Sequence, residues 1–118
     1  MLKRLPSTFG CPVELTLEVL AGKWKPVILA HLKQGTLRYS QLRSRIPKLS
    51  DKVLTERLRD LEGQGLVQRR NVDGEQTYAV YELTDRGRSL GPVLDALYAW
   101  GETAALDLGV KVELFSKY

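Results

Sequence analysis

The 118-residue chain holds one cysteine, one histidine and one methionine. A lone cysteine excludes an internal disulfide framework and a multi-cysteine zinc site. The single histidine, His31, has no second histidine or cysteine near it. That removes the usual donors of a metal centre and the base of a catalytic triad, so His31 is expected as a packed or partly exposed helix residue. No glycine-rich phosphate loop and no nucleophile with an evident base is present. An enzyme is therefore not expected, and neither a cofactor nor a metal is called for. No apolar run approaches the length of a membrane-spanning helix. The opening MLKRLPSTFG lacks the apolar stretch of a secretory signal. The expectation is a cytoplasmic protein with no membrane partner.

What is present fits one folded domain spanning residues 1–118, with a core at 11–101 and terminal arms. Hydrophobic residues make up 43% and charged ones 27%, ordinary for a globular domain, so a folded chain rather than a disordered one is expected. The net charge of +4 decides little by itself. Its distribution says more. Residues 38–70 carry nine basic and four acidic side chains, a net of +5. From Gly91 onward there are four acids against two lysines, a net of −2. An anionic partner is expected at the middle of the chain and a different task at its end.

Periodicity and punctuation give the elements. Pro12 to Leu20 reads as a short helix stopped at Gly22. A second, buried helix starts near Pro26, runs through Val27, Ile28, Leu29 and Leu32, and stops at Gly35. Thr36–Tyr39 fits a short strand. Ser40 is the expected cap of a third helix, Gln41–Arg45, ended by Pro47. Ser50 caps a fourth, running to about Glu62, with Asp51 at the positive end of its dipole. Leu54, Leu58 and Leu61 form its buried stripe. Leu66–Val72 and Thr77–Leu83, with Asp73-Gly74 between them, read as a hairpin. Thr84 caps a last helix, broken early at Gly91-Pro92 and broadly apolar through Leu90, Val93, Leu94, Leu97, Tyr98 and Trp100. Thr103–Leu108 is a further weakly helical stretch.

The fold class is mainly α with a small β-hairpin, a winged helix-turn-helix. In such readers a second helix enters the major groove, and the hairpin meets the backbone beside it. On the fourth helix, Lys52, Thr55, Glu56 and Arg59 fall at i, i+3, i+4 and i+7, a polar row away from the leucines. With Ser50 they are the candidate base readers: arginine binds guanine bidentately, glutamate accepts from cytosine, threonine meets a thymine methyl. Arg38, Arg43, Lys48, Arg57, Arg69 and Arg70 are the candidate phosphate contacts. Taken alone, such a row is equally the solvated face of an amphipathic helix. The order of elements favours double-stranded DNA as partner. A winged-helix module for protein–protein contact is the alternative.

Several blocks resemble HxlR-type transcriptional regulators: Cys11-Pro12-Val13-Glu14, Gly22-Lys23-Trp24-Lys25-Pro26, Leu54 to Glu62, Gly65-Leu66-Val67 with Arg69, Tyr81-Glu82-Leu83-Thr84 with Gly87, and Leu90 to Pro92 with Leu94, Leu97, Trp100 and Gly101. The resemblance covers roughly Cys11 to Gly101. It implies a homodimeric winged-helix regulator, joined through terminal helices, whose two recognition helices read a roughly palindromic operator. Leu94, Leu97 and Trp100 are the expected dimer contacts, with packing inside one subunit as the alternative for Trp100. Trp24 is expected as a core or interface anchor. The chain departs from the family at the wing. Where prolines often precede the second strand, it has Asp73-Gly74-Glu75-Gln76-Thr77, and two acids near the tip weaken contact with phosphate.

The resemblance also bears on Cys11, because some members sense oxidants or reactive electrophiles through a cysteine at this position. A helix N-terminus favours the thiolate form of a cysteine, and Lys3 and Arg4 lie close in sequence. The alternative for Cys11 is a small hydrophobe packing the first helix.

Overall fold

The computed structural model describes residues 8–112; Lys3 and Arg4 lie outside the described residues. The elements follow in the order α1 (Pro12–Val19), α2 (Lys25–Lys33), β1 (Leu37–Arg38), α3 (Tyr39–Arg45), α4 (Asp51–Gly63), β2 (Val67–Val72), β3 (Tyr78–Leu83), α5 (Asp85–Arg88) and α6 (Gly91–Leu108).

Helix α2 is the hub. Ile28, Leu29, Ala30, His31 and Leu32 are all buried, as its near-continuous apolar sequence requires. Around it pack Leu42 of α3, the Leu54, Leu58 and Leu61 stripe of α4, Leu66 and Val67, Leu83, and Leu94 of α6. Truncating a fully buried member such as Leu58 to alanine costs about 2–5 kcal/mol.

The three strands form an antiparallel sheet in the order β1-β3-β2. Leu37 faces Tyr81 and Arg38 faces Val80. On the other side Val67 faces Leu83, Gln68 faces Glu82, Arg69 faces Tyr81, Arg70 faces Val80 and Val72 faces Tyr78. Successive side chains alternate between faces. Leu37, Val67, Tyr81 and Leu83 therefore share the core face. Arg38, Gln68, Arg70, Tyr78, Val80 and Glu82 share the outer one. Val80 is buried even so. Its two direct neighbours across the sheet are arginines, whose aliphatic stems cover apolar surface well. The wing loop is Asp73–Thr77, longer than a two-residue Asp-Gly turn.

The expected last helix is two helices. Thr84 caps α5, its Oγ1 accepting from Gly87 N–H at 3.1 Å and donating to the Gly65 carbonyl at 2.5 Å. Gly87 is buried, and a Cβ there would run into the Leu66 carbonyl, so only glycine fits. The chain then turns at Leu90 into α6, with Pro92 in its first turn. Thr103–Leu108 is no separate element: α6 continues through Gly101 to Leu108. An ion pair between Lys33 and Asp95, 2.8 Å apart, links α2 to α6.

Candidate nucleic-acid interface

Helices α3 and α4 form the helix-turn-helix pair. Ser40 is not the cap of α3. Strand β1 runs straight into the helix, Arg38 takes the cap position, and the Gln41 side chain accepts the Arg38 N–H at 2.8 Å. Ser40 sits inside the first turn, where its carbonyl accepts from Ser44 Oγ. Ser50 does cap α4, accepting from Val53 N–H at 3.2 Å.

One carboxylate sets the pair's geometry. Asp51 accepts from Tyr39 Oη at 2.9 Å and from Arg43 Nε at 2.8 Å. Arg43 also donates to the Leu49 carbonyl in the turn. The Tyr39 hydrogen bond, then the Arg43 hydrogen bond and charge, hold the Asp51 carboxyl below its ordinary range. Tyr39 Oη also lies 3.4 Å from Thr55 Oγ1. Sequence reasoning had no role for Tyr39.

A second set of contacts ties α4 to the loop between α1 and α2. Arg57 Nε donates to the Lys23 carbonyl at 2.8 Å. Lys25, buried at 7% exposure, places Nζ 3.3 Å from Gln64 Oε1 and 3.9 Å from Asp60. Gln64 Nε2 donates to the Val19 carbonyl at 3.0 Å. Trp24, half-buried against the core, starts α2 in the left-handed region, at φ 84°.

The candidate base readers share the outward face of α4. Lys52, Glu56 and Arg59 are exposed, and Thr55 is half-buried beside Tyr39. Among the described residues, Lys52, Glu56 and Arg59 make no hydrogen bond or ion pair. Exposed Ser50 is occupied as an acceptor, while its O–H can still donate.

The candidate phosphate contacts divide. Lys48 is exposed and makes no such contact among the described residues. Arg38 stacks over the Tyr78 ring, 3.7 Å from its centroid, which leaves the guanidinium edge open to donate. Arg69 is exposed and stands opposite Tyr81 across the ladder. Arg43 and Arg57 are committed to the internal contacts above. Arg70 is committed to Glu82: its Nη2 lies 3.0 Å from Oε1 and its Nε 3.2 Å from Oε2. Gln68, at 2.5 Å, and Thr36, at 3.3 Å, also donate to that carboxylate. The Arg70 and Gln68 hydrogen bonds push the Glu82 carboxyl down to about 2. Sequence reasoning missed Glu82; only the hairpin register brings it beside Arg70.

Cys11 is exposed rather than packed. It caps α1, with Sγ accepting from Val13 N–H at 3.3 Å. No residue of α1 is buried, and Val13, Leu15 and Leu17 face outward. Helix α6 leaves Leu97, Trp100, Leu106 and Leu108 exposed, Trp100 at 74% and Leu106 at 84%. Trp100 is thus no part of the core. Leu94 departs from the expected dimer contacts: at 4% exposure it belongs to the core, packed toward α2. Leu97, Tyr98, Ala105, Leu106, Val110 and Val112 line an apolar groove of about 530 Å³. No helix among the described residues is long and apolar enough to cross a membrane.

The model of the HxlR-like helix-turn-helix family matches residues 19–107. The chain belongs to this family. An HTH-type transcriptional regulator of Methanothermobacter thermautotrophicus is 42% identical over 92 residues, covering 78% of this chain and 70% of the relative. The HTH-type transcriptional regulator YtcD of Bacillus subtilis is 45% identical over 93 residues, covering 79% and 74%. The redox regulator HypR in its oxidized form superposes with a TM-score of 0.73 at 38% identity, covering 79% of this chain and 96% of that one. The chain is thus a helix-turn-helix transcriptional regulator by family, with a winged-helix fold like that of its structural neighbours.

Proposed function

We propose that this regulator binds double-stranded DNA sequence-specifically as a homodimer on a pseudo-palindromic operator. The observation that carries the proposal is the row Lys52, Glu56 and Arg59, left uncommitted on a helix whose N-terminus is fixed by Ser50 and the Asp51 cluster. Side chains without internal partners can exchange water for base edges at little cost, and a fixed helix sets their register. Lys48, the open edge of Arg38 and Arg69 supply phosphate contacts around it.

The homodimer reading rests on α1 and α6. Both expose large apolar side chains, and α6 does so around more than one face toward its C-terminal end. A helix apolar on several sides belongs inside a larger body. A second copy supplies that body and places two recognition helices on one duplex.

The test is duplex binding by the wild type and Arg59→Ala on the DNA upstream of the protein's own gene. Loss of one bidentate base contact costs about 1–3 kcal/mol and relaxes preference at one base pair. An Arg59→Ala variant that weakens operator and random DNA equally would make Arg59 a phosphate contact or a bystander.

A second reading concerns Cys11, which is exposed, caps a helix at the proposed dimer face, and sits in a chain that resembles a redox regulator. We infer that two Cys11 thiols, one from each subunit, can yield two electrons and two protons to an oxidant and join as a disulfide. Diamide treatment then gives a covalent dimer on a non-reducing gel and alters operator affinity. A Cys11→Ser variant gives neither.

A further inference from the structure

Arg38 and Arg70 both stand opposite Val80 on the outer face of the sheet, on its two sides. They lean in opposite directions. Arg38 reaches diagonally to Tyr78, toward the wing tip. Arg70 reaches diagonally to Glu82, toward the wing's base. The step from residue 80 to residue 82 along a strand is about 6.6–6.8 Å. Glu82 thus draws the Arg70 guanidinium away from the tip by about that distance and cancels its charge.

The hold is strong for a surface site. Arg70 donates through both Nε and Nη2, and Gln68 of β2 and Thr36, just before β1, fix the carboxylate from either side. Glu82 is only 18% exposed while Arg70 is 51% exposed, so the acid is the anchored partner and the arginine the one that can be released. The tip beyond carries Asp73 and Glu75 and lacks basic residues. Arg38 already leans toward it, and Arg70 is the second cation within reach once it is released from Glu82.

We propose that Glu82 is an affinity-setting residue of the wing: by holding Arg70 at the base of the hairpin it withholds one phosphate contact per subunit from bound DNA. The inference rests on the DNA-binding reading above. It makes wing engagement weak by construction and leaves discrimination to α4. Weak backbone contact lowers affinity for all duplexes alike, which favours a reader that must leave non-specific sites quickly.

The test is the salt dependence of duplex binding for wild type, Glu82→Gln, Arg70→Gln and the double variant. Glutamine keeps the shape of Glu82; its one amide oxygen can still accept from Gln68 and its N–H can donate to Thr36 Oγ1, so the sheet is retained; thermal melts verify this. Glu82→Gln is expected to tighten binding and to steepen the slope of log K against log salt by about 0.9 per subunit. The gain at 50 mM salt then exceeds that at 200 mM by about 3.5-fold per subunit. Arg70→Gln alone leaves the slope unchanged, and in the double variant the steepening disappears. A mere change of net charge would instead make the two substitutions additive, which overturns the proposal. An unchanged slope in Glu82→Gln, with wild type binding normally, overturns this inference alone. A wild type that binds no duplex overturns the DNA-binding reading and this inference with it.

Discussion

Arg43 Nε lies 2.8 Å from Asp51 Oδ1, so an ion pair joins the first helix of the helix-turn-helix to the N-terminus of the second. Arg43 was a candidate phosphate contact. Its donors instead serve Asp51 and the Leu49 carbonyl. Arg43→Ala is expected to destabilise the fold by about 1–3 kcal/mol, through the lost charge-assisted bond to a carbonyl in the turn. Urea denaturation measures this. A phosphate-only role for Arg43 predicts unchanged stability and a shallower salt slope.

His31 is buried at 4% exposure, and burial, then the charge of Arg45, lowers its pKa. The unfolded chain therefore takes up the proton first as pH falls. Stability is full above about 6.5 and declines as pH drops through that value toward the lower folded pKa. Denaturation midpoints at pH 7.5 and 5.5 should differ in the wild type. The difference should shrink in His31→Gln. An equal difference in both would place the titrating group elsewhere.

Gly87→Ala is expected to cost about 1–3 kcal/mol, because the new methyl must displace the Leu66 backbone rather than a flexible side chain. Chemical denaturation reads it directly. Full stability in this variant would mean that α5 can move off the α4–β2 turn freely.

Trp100→Glu and Leu94→Ala separate interface from core. Trp100→Glu should leave the subunit folded and shift sedimentation toward monomer, because the side chain is exposed. Leu94→Ala should lower stability by about 2–5 kcal/mol, because the side chain is buried in its own subunit. A folded, monomeric wild type at micromolar concentration would contradict the dimer reading.

The sequence was most legible where one signal dominated. The leucine stripe and serine cap fixed α4 to within a residue, and the strands flanking Asp73-Gly74 emerged nearly as expected. The cap of α3 was not legible. Ser40 is a better cap by type than Arg38, yet the strand entering the helix and the Gln41 side chain decide the position. Helical spacing showed that α6 is broadly apolar but not which side meets its own core, so Leu94 was grouped with Leu97 and Trp100. The arginines were legible as charges and not as partners. Arg57 bonds a carbonyl 34 positions earlier in the chain, and Arg70 meets Glu82 only through the hairpin register. Long-range pairing is what a residue-by-residue reading of charge lacks.

The most direct test of the central claim is equilibrium binding, at fixed salt, to the duplex upstream of the protein's own gene and to a scrambled duplex of equal length and composition. Sequence-specific recognition by a dimer predicts that the upstream duplex wins by about a thousandfold or more. Equal affinity for the two, with the same salt slope, would contradict it.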